Sequence, residues 1–168
     1  MPARHAVRQF HHVLCPVDLS AHSRIALRYA AALAEQDRCS LTVLFVSDPL
    51  LVAAAAAAYN RRELEDTSGR ELARFVKKAL PPKTLAALSP VCEVRIGKPV
   101  DEIVRRASEG GFDLLVLGTR GHNAAGRLLF GSTTTGVLRR ATIPVLAIPP
   151  AGRAGVRKRL TQTAAKPD

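Results

Sequence analysis

Short apolar runs alternate along the chain with longer stretches in which apolar residues recur every three or four positions. Five of the runs predict β-strands: His12–Val17, Leu41–Ser47, Val91–Ile96, Asp113–Leu117 and Ile143–Ile148. Four of them are nearly continuous in apolar residues, which is typical of strands covered by helices on both faces of a sheet. In Val91–Ile96 polar and apolar residues alternate instead, so we expect this strand at the edge of the sheet.

The stretches between the strands predict four amphipathic helices. They cover about 20–36, 62–80, 99–110 and 132–140. Ser20 or Ser23 is suited to cap the first helix, because a hydroxyl can accept a hydrogen bond from a free amide of the first turn. Pro81 and Pro82 are expected to end the second helix, whereas Pro99 suits the first turn of the third.

The resulting order of elements is βαβαβαβαβ. Such alternation predicts a single α/β domain in which a five-stranded parallel sheet is sandwiched by helices. We expect this folded domain over residues 11–150, preceded by a flexible segment over 1–10 and followed by a basic tail without hydrophobic pattern over 151–168. In sheets of this kind, ligands bind beyond the carboxyl ends of the strands, where the strand order reverses.

The net charge of +11 is high enough to raise the question of nucleic-acid binding. The excess is concentrated at the two ends, since residues 151–168 carry five basic residues against Asp168 alone, and Arg4 and Arg8 lie in the first twelve positions. Only 4% of the residues are aromatic and none is Trp, which disfavours the stacking of single-stranded bases. We expect solvated basic tails; binding of nucleic acid or an acidic membrane surface by these tails is the alternative.

Three dispersed cysteines, Cys15, Cys39 and Cys92, favour a reducing cytoplasm over a disulfide framework. Cys15 and Cys92 lie within predicted strands, so we expect both to be buried. The apolar run that begins at Val13 ends at Asp18, and the alanine-rich run over 50–58 is also short. Because a membrane span needs about 20 apolar residues, we expect no signal peptide and no membrane span.

The segment after the fourth strand carries the most informative chemistry. Its glycines follow the pattern Gly-x2-Gly-x9-Gly-Ser over residues 118–132. Gly118 and Gly121 let the backbone approach a ligand where a Cβ would collide. Gly131 opens a helix whose free N–H groups and positive dipole end attract phosphate, and Arg120 and Arg127 add positive charge. The pattern therefore predicts a phosphate-binding loop.

Other nucleotide motifs fit poorly. Gly126 and Gly131 have the spacing of a P-loop, but Ser132 stands where that loop needs lysine. A Gly-x-Gly-x-x-Gly fingerprint of dinucleotide binding is absent. The four residues from Thr119 to His122 match the loose Thr-x-Gly-His pattern of nucleotidylyltransferases, which however place it after the first strand. We reject all three interpretations.

Taken with the glycine pattern, four further matches in order make residues 11–150 resemble the universal stress protein family, in its ATP-binding subgroup. These matches are Val13–Ser20, Phe45–Ser47, Gly97–Pro99 and Ile143–Pro149. The glycine pattern is the specific part of the resemblance, and both tails lie outside it. The resemblance implies a Rossmann-like, adenine nucleotide α-hydrolase-like domain in the cytoplasm that binds ATP.

The resemblance also implies a role for each matched position. The adenosine lies against the end of the first strand and the backbone of the second, at Pro16, Val17, Asp18 and Val46. The ribose and the first phosphate lie against Leu117, Gly118, Thr119 and Gly121. The outer phosphates are held by Gly131, Ser132, Thr133 and Thr134. A divalent ion, Mg²⁺ or Mn²⁺, bridges phosphate oxygens, with Asp18 as the candidate for a polar contact or a metal-linked water.

A homodimer is implied as well, through antiparallel pairing of the fifth strand at Ile143, Val145 and Leu146. No general base or nucleophile is evident, so we expect a nucleotide-dependent regulator of the stress response with at most slow ATP hydrolysis or autophosphorylation on the hydroxyls of residues 132–135. Besides binding through the basic tails, two alternatives remain: an interaction scaffold that binds no nucleotide, and a true ATPase.

The segment Asp48–Asn60 departs from the family pattern. Its run of alanines matches no motif that we can assign. It either covers the adenine pocket or extends the second helix, and both possibilities stay open.

Overall fold

The structure is a computed structural model that describes residues 10–47, 61–120 and 130–150, the side chains of residues 61–65 excepted. The expectations for the N-terminal segment before residue 10, for Asp48–Asn60, for Gly121 and for the tail over 151–168 lie outside the described residues.

Strands and helices alternate as the sequence predicts. The strands are β1 (His12–Val17), β2 (Ser40–Ser47), β3 (Val91–Ile96), β4 (Leu114–Gly118) and β5 (Val145–Ile148). The helices are α1 (Ala21–Asp37), α2 (Arg61–Ala79), α3 (Pro82–Leu88), α4 (Pro99–Glu109) and α5 (Ser132–Arg140). The strands form one parallel sheet in the order β3-β2-β1-β4-β5. The predicted five-stranded parallel sheet is confirmed, and so is the edge position of Val91–Ile96.

The short helix α3 was not predicted. The paired prolines follow the end of α2, as expected, but Pro82 also begins a new helix, with Pro81 as its extended N-cap residue. Proline is favourable at the first position of a helix because the N–H that it lacks would have no partner there. Leu85 and Leu88 of α3 are partly buried and pack against the core. Proline thus both ends one helix and begins the next, and only the first role was expected from the sequence.

Side chains of the central strand β1 point alternately into two hydrophobic cores. Val13, Cys15 and Val17 belong to the core beneath α1 and α2. Leu14 belongs to the core beneath α4 and α5, together with Leu44 of β2. Because helices cover both faces, neither face of β1 can carry polar residues, which explains why this strand reads as a continuous apolar run.

The two cysteines that were expected to be buried differ from each other. Cys15 is fully buried in the first core, and its burial raises the pKa of the thiol to about 12. Cys92 is exposed, contrary to the prediction. It is the second residue of the edge strand β3, whose outer flank has no neighbouring strand among the described residues. In the part of the chain that the structure describes, no helix is both long and apolar enough to span a membrane.

A cluster of polar and aromatic side chains lies beside the second core. The ring of Phe112 contacts the ring of His12 at 4.1 Å and the guanidinium of Arg106 at 4.5 Å. Arg106 donates two hydrogen bonds of 2.7 Å to Glu93 of β3, and His12 Nε2 lies 3.0 Å from the hydroxyl of Thr42. Burial, followed by the positive charge of Arg106, lowers the pKa of His12 below 6.5, although Asp113 and Glu93 act in the opposite direction.

We expect His12 to make the folded protein less stable in mild acid. Because its pKa is lowered on folding, the unfolded chain takes up a proton at higher pH than the folded protein does. The free energy of unfolding should therefore decrease as the pH falls through 6.5 toward the folded pKa, and should not depend on this group at higher pH. Calorimetric Tm values across this range should decrease more steeply for the wild type than for His12→Gln.

The exposed neighbour His11 provides a matched control. His11→Gln should keep the pH dependence of the wild type. Equal slopes for the wild type and His12→Gln would contradict the prediction.

Candidate functional site

The strand order reverses between β1 and β4. From β1 the chain moves by way of α1 to β2 on one side, and from β3 it returns by way of α4 to β4 on the other side. The chain segments that leave β1 and β4 therefore diverge at the carboxyl edge of the sheet. A crevice opens at such a point in parallel sheets, and the amino-terminal ends of the helices that follow these two strands border it.

A cleft of about 290 Å³ lies at this place. Ten of the predicted site residues line it: Pro16, Val17, Asp18, Val46, Leu117, Gly118, Gly131, Ser132, Thr133 and Thr134. They come from three strands and from the start of α5, which are far apart in the sequence. The structure thus brings together almost all of the positions that the sequence argument selected.

Thr119 does not line the cleft and instead joins two elements. Its side chain is buried, its N–H donates to the carbonyl of Ile148 at 2.8 Å, and its own carbonyl accepts from the N–H of Gly131 at 2.7 Å. The residue therefore connects the end of β4 both to β5 and to the start of α5. Thr119 was expected to lie beside ribose and phosphate, and the structure gives it a supporting position. Gly121, the other predicted residue outside this lining, is not among the described residues.

The amino terminus of α5 faces the cleft without a side-chain cap. Gly131 is the N-cap residue, and no side chain among the described residues accepts from the first turn. The N–H groups of a first helical turn have no partner within the helix, so those of residues 132–134 are available to an anion. The hydroxyl of Thr134 is used differently, because it donates to the carbonyl of Gly118 at 2.8 Å.

Asp18 lies in a tight turn at the end of β1. Its Oδ1 accepts a hydrogen bond of 3.1 Å from the N–H of Ser20, and the hydroxyl of Ser20 in turn accepts from the N–H of Ser23, which caps α1. Leu19 between them has a φ of 62°, a left-handed conformation that costs a non-glycine residue about 1–2 kcal/mol. The turn tolerates this strain, and its conformation holds the Asp18 carboxylate at the edge of the cleft.

Little space remains around Gly118. A Cβ at this position would lie 3.3 Å from the carbonyl oxygen of Arg120 and 3.5 Å from that of His22. Both are backbone atoms and cannot rotate away as a flexible side chain would. Glycine at the end of β4 therefore allows the chain to turn closely past α1 toward Arg120.

Five residues of the lining were missed in the sequence analysis as members of the site: Ser23, Leu44, Pro99, Ile103 and Arg120. Leu44 had a local signal, because it lies two positions before Val46 and therefore on the same face of the strand. Arg120 was noted only for its charge. Pro99 and Ile103 come from α4, and no pattern within that helix indicates which strand end it covers.

The lining divides into an apolar and a polar part. Side chains of β2 and α4 supply the apolar part, namely Leu44, Val46, Pro99 and Ile103. The polar part contains Asp18, Arg120 and the start of α5. An amphipathic ligand with a flat apolar portion and an anionic portion fits this division, because a helix amino terminus and a guanidinium both attract negative charge.

The donor set fits a metal ion only in combination with an anionic ligand. Asp18 supplies the one carboxylate among the described residues of the lining. Within residues 10–47, 61–120 and 130–150, no three His, Cys, Asp or Glu side chains lie together in a way that could hold an ion. Mg²⁺ commonly binds through one or two carboxylates together with phosphate oxygens, and this arrangement agrees with such binding.

The fold and the cleft define an α/β domain with a ligand crevice at the switch point of a parallel sheet. Comparison with known sequences agrees, since the profile of the Universal stress protein family matches residues 9–149. The chain belongs to this family. A universal stress protein of Mycolicibacterium smegmatis is 30% identical over 139 residues, which cover 81% of this chain and 47% of that protein. The chain thus spans about half the length of this relative.

Two solved structures have a similar fold. The structure of MJ0577, a protein of Methanocaldococcus jannaschii, superposes with a TM-score of 0.70 at 23% identity and covers 87% of this chain and all of its own. This similarity concerns the fold. A universal stress protein solved in complex with cAMP has a TM-score of 0.58 at 29% identity, covering 84% of this chain and 98% of its own.

We expect the Thr134 hydroxyl to stabilise the fold. Thr134→Val keeps the shape of the side chain but removes the hydrogen bond to the carbonyl of Gly118, so the free energy of unfolding should fall by about 1–2 kcal/mol. Urea denaturation measures this change. Thr133→Val makes the same replacement at a half-buried neighbour and should leave the stability nearly unchanged. Thr134→Val with wild-type stability would refute the assigned role.

Proposed function

We propose that the protein binds ATP in this cleft and acts as a nucleotide-dependent regulator of the stress response. The observation that carries the proposal is the uncapped amino terminus of α5, which lines one cleft together with Arg120 and with apolar side chains of β2 and α4. A triphosphate needs several N–H donors and positive charge, whereas a purine needs an apolar slot. This cleft offers both within one crevice.

The adenine lies against the apolar side chains of the lining in this proposal. Leu44 and Val46 of β2 and Ile103 of α4 border the base, and the backbone of Val46 is placed at a strand end where it can contact the ring edge. Pro16 and Val17 lie beside the adenosine at the end of β1. Leu117 closes the same side from β4.

The phosphates lie at the amino terminus of α5. The backbone amides of the first turn and the hydroxyls of Ser132 and Thr133 donate to phosphate oxygens, while Arg120 supplies positive charge. Gly118 and Gly131 have no Cβ atoms, so the backbone at these two positions can approach the phosphates closely. Residue Gly121, which the family pattern places at the first phosphate, completes the proposed loop.

A divalent ion belongs to the proposed complex. Mg²⁺ or Mn²⁺ would neutralise charge on the phosphate oxygens. Asp18 is the candidate for a polar contact with the ion or with a water bound to it. Asp18 is also the one carboxylate among the described residues of the lining, and its Oδ1 accepts from Ser20. The proposed role of the bound nucleotide is regulation, with at most slow hydrolysis or autophosphorylation.

The relative solved with cAMP supports the adenine-nucleotide class for this chain. ATP is the ligand that we favour, because the uncapped helix terminus and Arg120 provide for more than one phosphate. The cytoplasm is the proposed compartment, since none of the three cysteines is paired in a disulfide.

We further propose a homodimer through β5. This strand forms one edge of the sheet, and Leu146 on it is exposed. Phe130 and Leu138, which precede β5 in the sequence, are also exposed apolar residues. Ile143 and Val145 instead pack against the second core, so they would support the strand while Leu146 meets the partner.

Purified protein should carry or take up an adenine nucleotide. Mass spectrometry after denaturation should identify bound ATP, and Mg-ATP at a hundred times its Kd should raise Tm by about 5–10 °C, because a ligand that binds only the folded state stabilises it. ADP, cAMP and adenosine in the same assay rank the contribution of the phosphates. No bound nucleotide together with no shift by millimolar Mg-ATP would refute the proposal and favour an interaction scaffold.

A glycine variant locates the binding. A Cβ at Gly131 would meet no described atom closer than the Thr119 carbonyl at 3.7 Å, so Gly131→Ala should fold normally. It should weaken ATP about tenfold if phosphates approach this backbone closely. Gly69→Ala, in open space on α2, should leave the affinity unchanged. Equal affinities for the two variants would place the nucleotide elsewhere.

The dimer is tested by replacing the exposed residue of β5. Wild-type protein should show twice the chain mass of 18.0 kDa in light scattering, and Leu146→Lys should show the single mass because a charge cannot be buried unpaired in the interface. Val91→Lys, at the exposed start of the opposite edge strand, is the matched control and should stay dimeric. A monomeric wild type at micromolar concentration would contradict the proposed interface.

A further inference from the structure

Gly136 lies in the middle of α5, where glycine is unfavourable. Glycine in a helix interior costs about 1 kcal/mol relative to alanine. The backbone does not require it, because among the described glycines only Gly111 has a left-handed φ. Its presence therefore calls for a reason outside the helix.

The reason is close contact with α4. A Cβ at Gly136 would lie 2.8 Å from Cγ2 and 3.0 Å from Cγ1 of Val100. Every staggered rotamer of valine places two methyl groups in three positions around its Cβ, so at least one methyl always remains in one of the two colliding positions. Rotation of Val100 cannot relieve the collision, and the helices would have to separate by about 1 Å to restore ordinary contact distances.

This contact lies one helical turn from the cleft. Ser132 and Thr133 precede Gly136 by four and three positions and therefore lie on the same side of α5, and both line the cleft. On α4, Pro99 and Ile103 flank Val100 and also line it. The ion pair between Arg140 and Asp101 joins the same two helices one turn further along.

Different contacts hold the two helices against the sheet. Arg106 of α4 pairs with Glu93 of β3, and two further carboxylates of α4 pair with Arg95 on the same strand. The short helix α5 is tied to the sheet at its amino end by the bonds of Gly131 and Thr134 to the end of β4. A forced separation would therefore strain these two bonds and displace the first turn of α5, whose amides and hydroxyls line the cleft.

We propose that the contact between Gly136 and Val100 sets the width of the cleft, and that Gly136 is a positioning residue for the phosphate end of the nucleotide. This inference rests on the proposed function, since it assigns the spacing of the two helices to that same site. Glycine at this position lets the first turn of α5 come close enough to α4 for amides and hydroxyls to reach phosphates of a nucleotide whose base lies against α4.

The test is a set of three variants in the full chain, with Kd values for Mg-ATP and for adenosine from calorimetry. Gly136→Ala should weaken ATP at least about tenfold, because a shift of about 1 Å breaks hydrogen bonds to the phosphates. Adenosine should bind within about threefold of wild type, since its proposed contacts lie on the three strands and α4 and not on α5. Adding Val100→Ala to Gly136→Ala removes the colliding methyls and should restore ATP binding to within about threefold of wild type.

Gly69→Ala is the matched control, a helical glycine with open space around it. It should raise Tm by about 2–4 °C and leave both affinities unchanged. If Gly136→Ala does not fold, Val100→Ile replaces it, because it adds a methyl to the same contact and should weaken ATP in the same direction.

The outcomes separate the two proposals. Wild-type protein that binds no adenine nucleotide refutes the proposed function. Wild-type protein that binds ATP, combined with unchanged ATP affinity in Gly136→Ala, refutes the positioning role alone. Loss of ATP and adenosine affinity together, or no rescue by Val100→Ala, also refutes it, because general damage to the fold would then explain the loss.

Discussion

Two hydrogen bonds at the end of β4 determine the geometry on which the site depends. The N–H of Gly131 donates to the carbonyl of Thr119, and the hydroxyl of Thr134 donates to the carbonyl of Gly118. They fix the amino terminus of α5 against the carboxyl edge of the sheet, although nine residues of the connecting segment lie outside the described structure. Because the accepting carbonyls belong to the last residue of β4 and to the residue after it, the position of the helix follows directly from that of the strand.

The turn at the end of β1 contributes to the cleft in a different way. At the end of β1, Asp18 accepts from the N–H of Ser20, and Leu19 between them adopts a left-handed backbone. The strain is tolerated because the burial of β1 in two cores holds the strand in place, while Ser20 caps α1. The turn after β1 thus contributes a carboxylate to the cleft, and the helix that follows β4 contributes its amino terminus. Such rigid support is what a site for a charged ligand needs.

Much of the fold could be predicted because its periodic signals are local. The continuous apolar runs placed β1, β2 and β4 in the interior, and the alternation in Val91–Ile96 placed β3 at an edge. One helix was missed and one expectation was wrong, both for local reasons. Pro82 follows the end of α2 as expected but also begins α3. Cys92 was expected to be buried because it lies in a strand, and burial does not follow at the start of an edge strand.

The sequence by itself determined which residues form the five strands and four of the five described helices, and that the glycine-rich segment follows a buried strand. Main-chain preferences and hydrophobic periodicity act over a few neighbouring residues, so these features are local. The tertiary structure decided which elements meet. It placed Leu44 and Ile103 in one lining, gave Thr119 a supporting position and set Gly136 against Val100. These contacts depend on strand order and on the distance between helices, and both arise only when the whole core packs together, so no pattern within a single element encodes them.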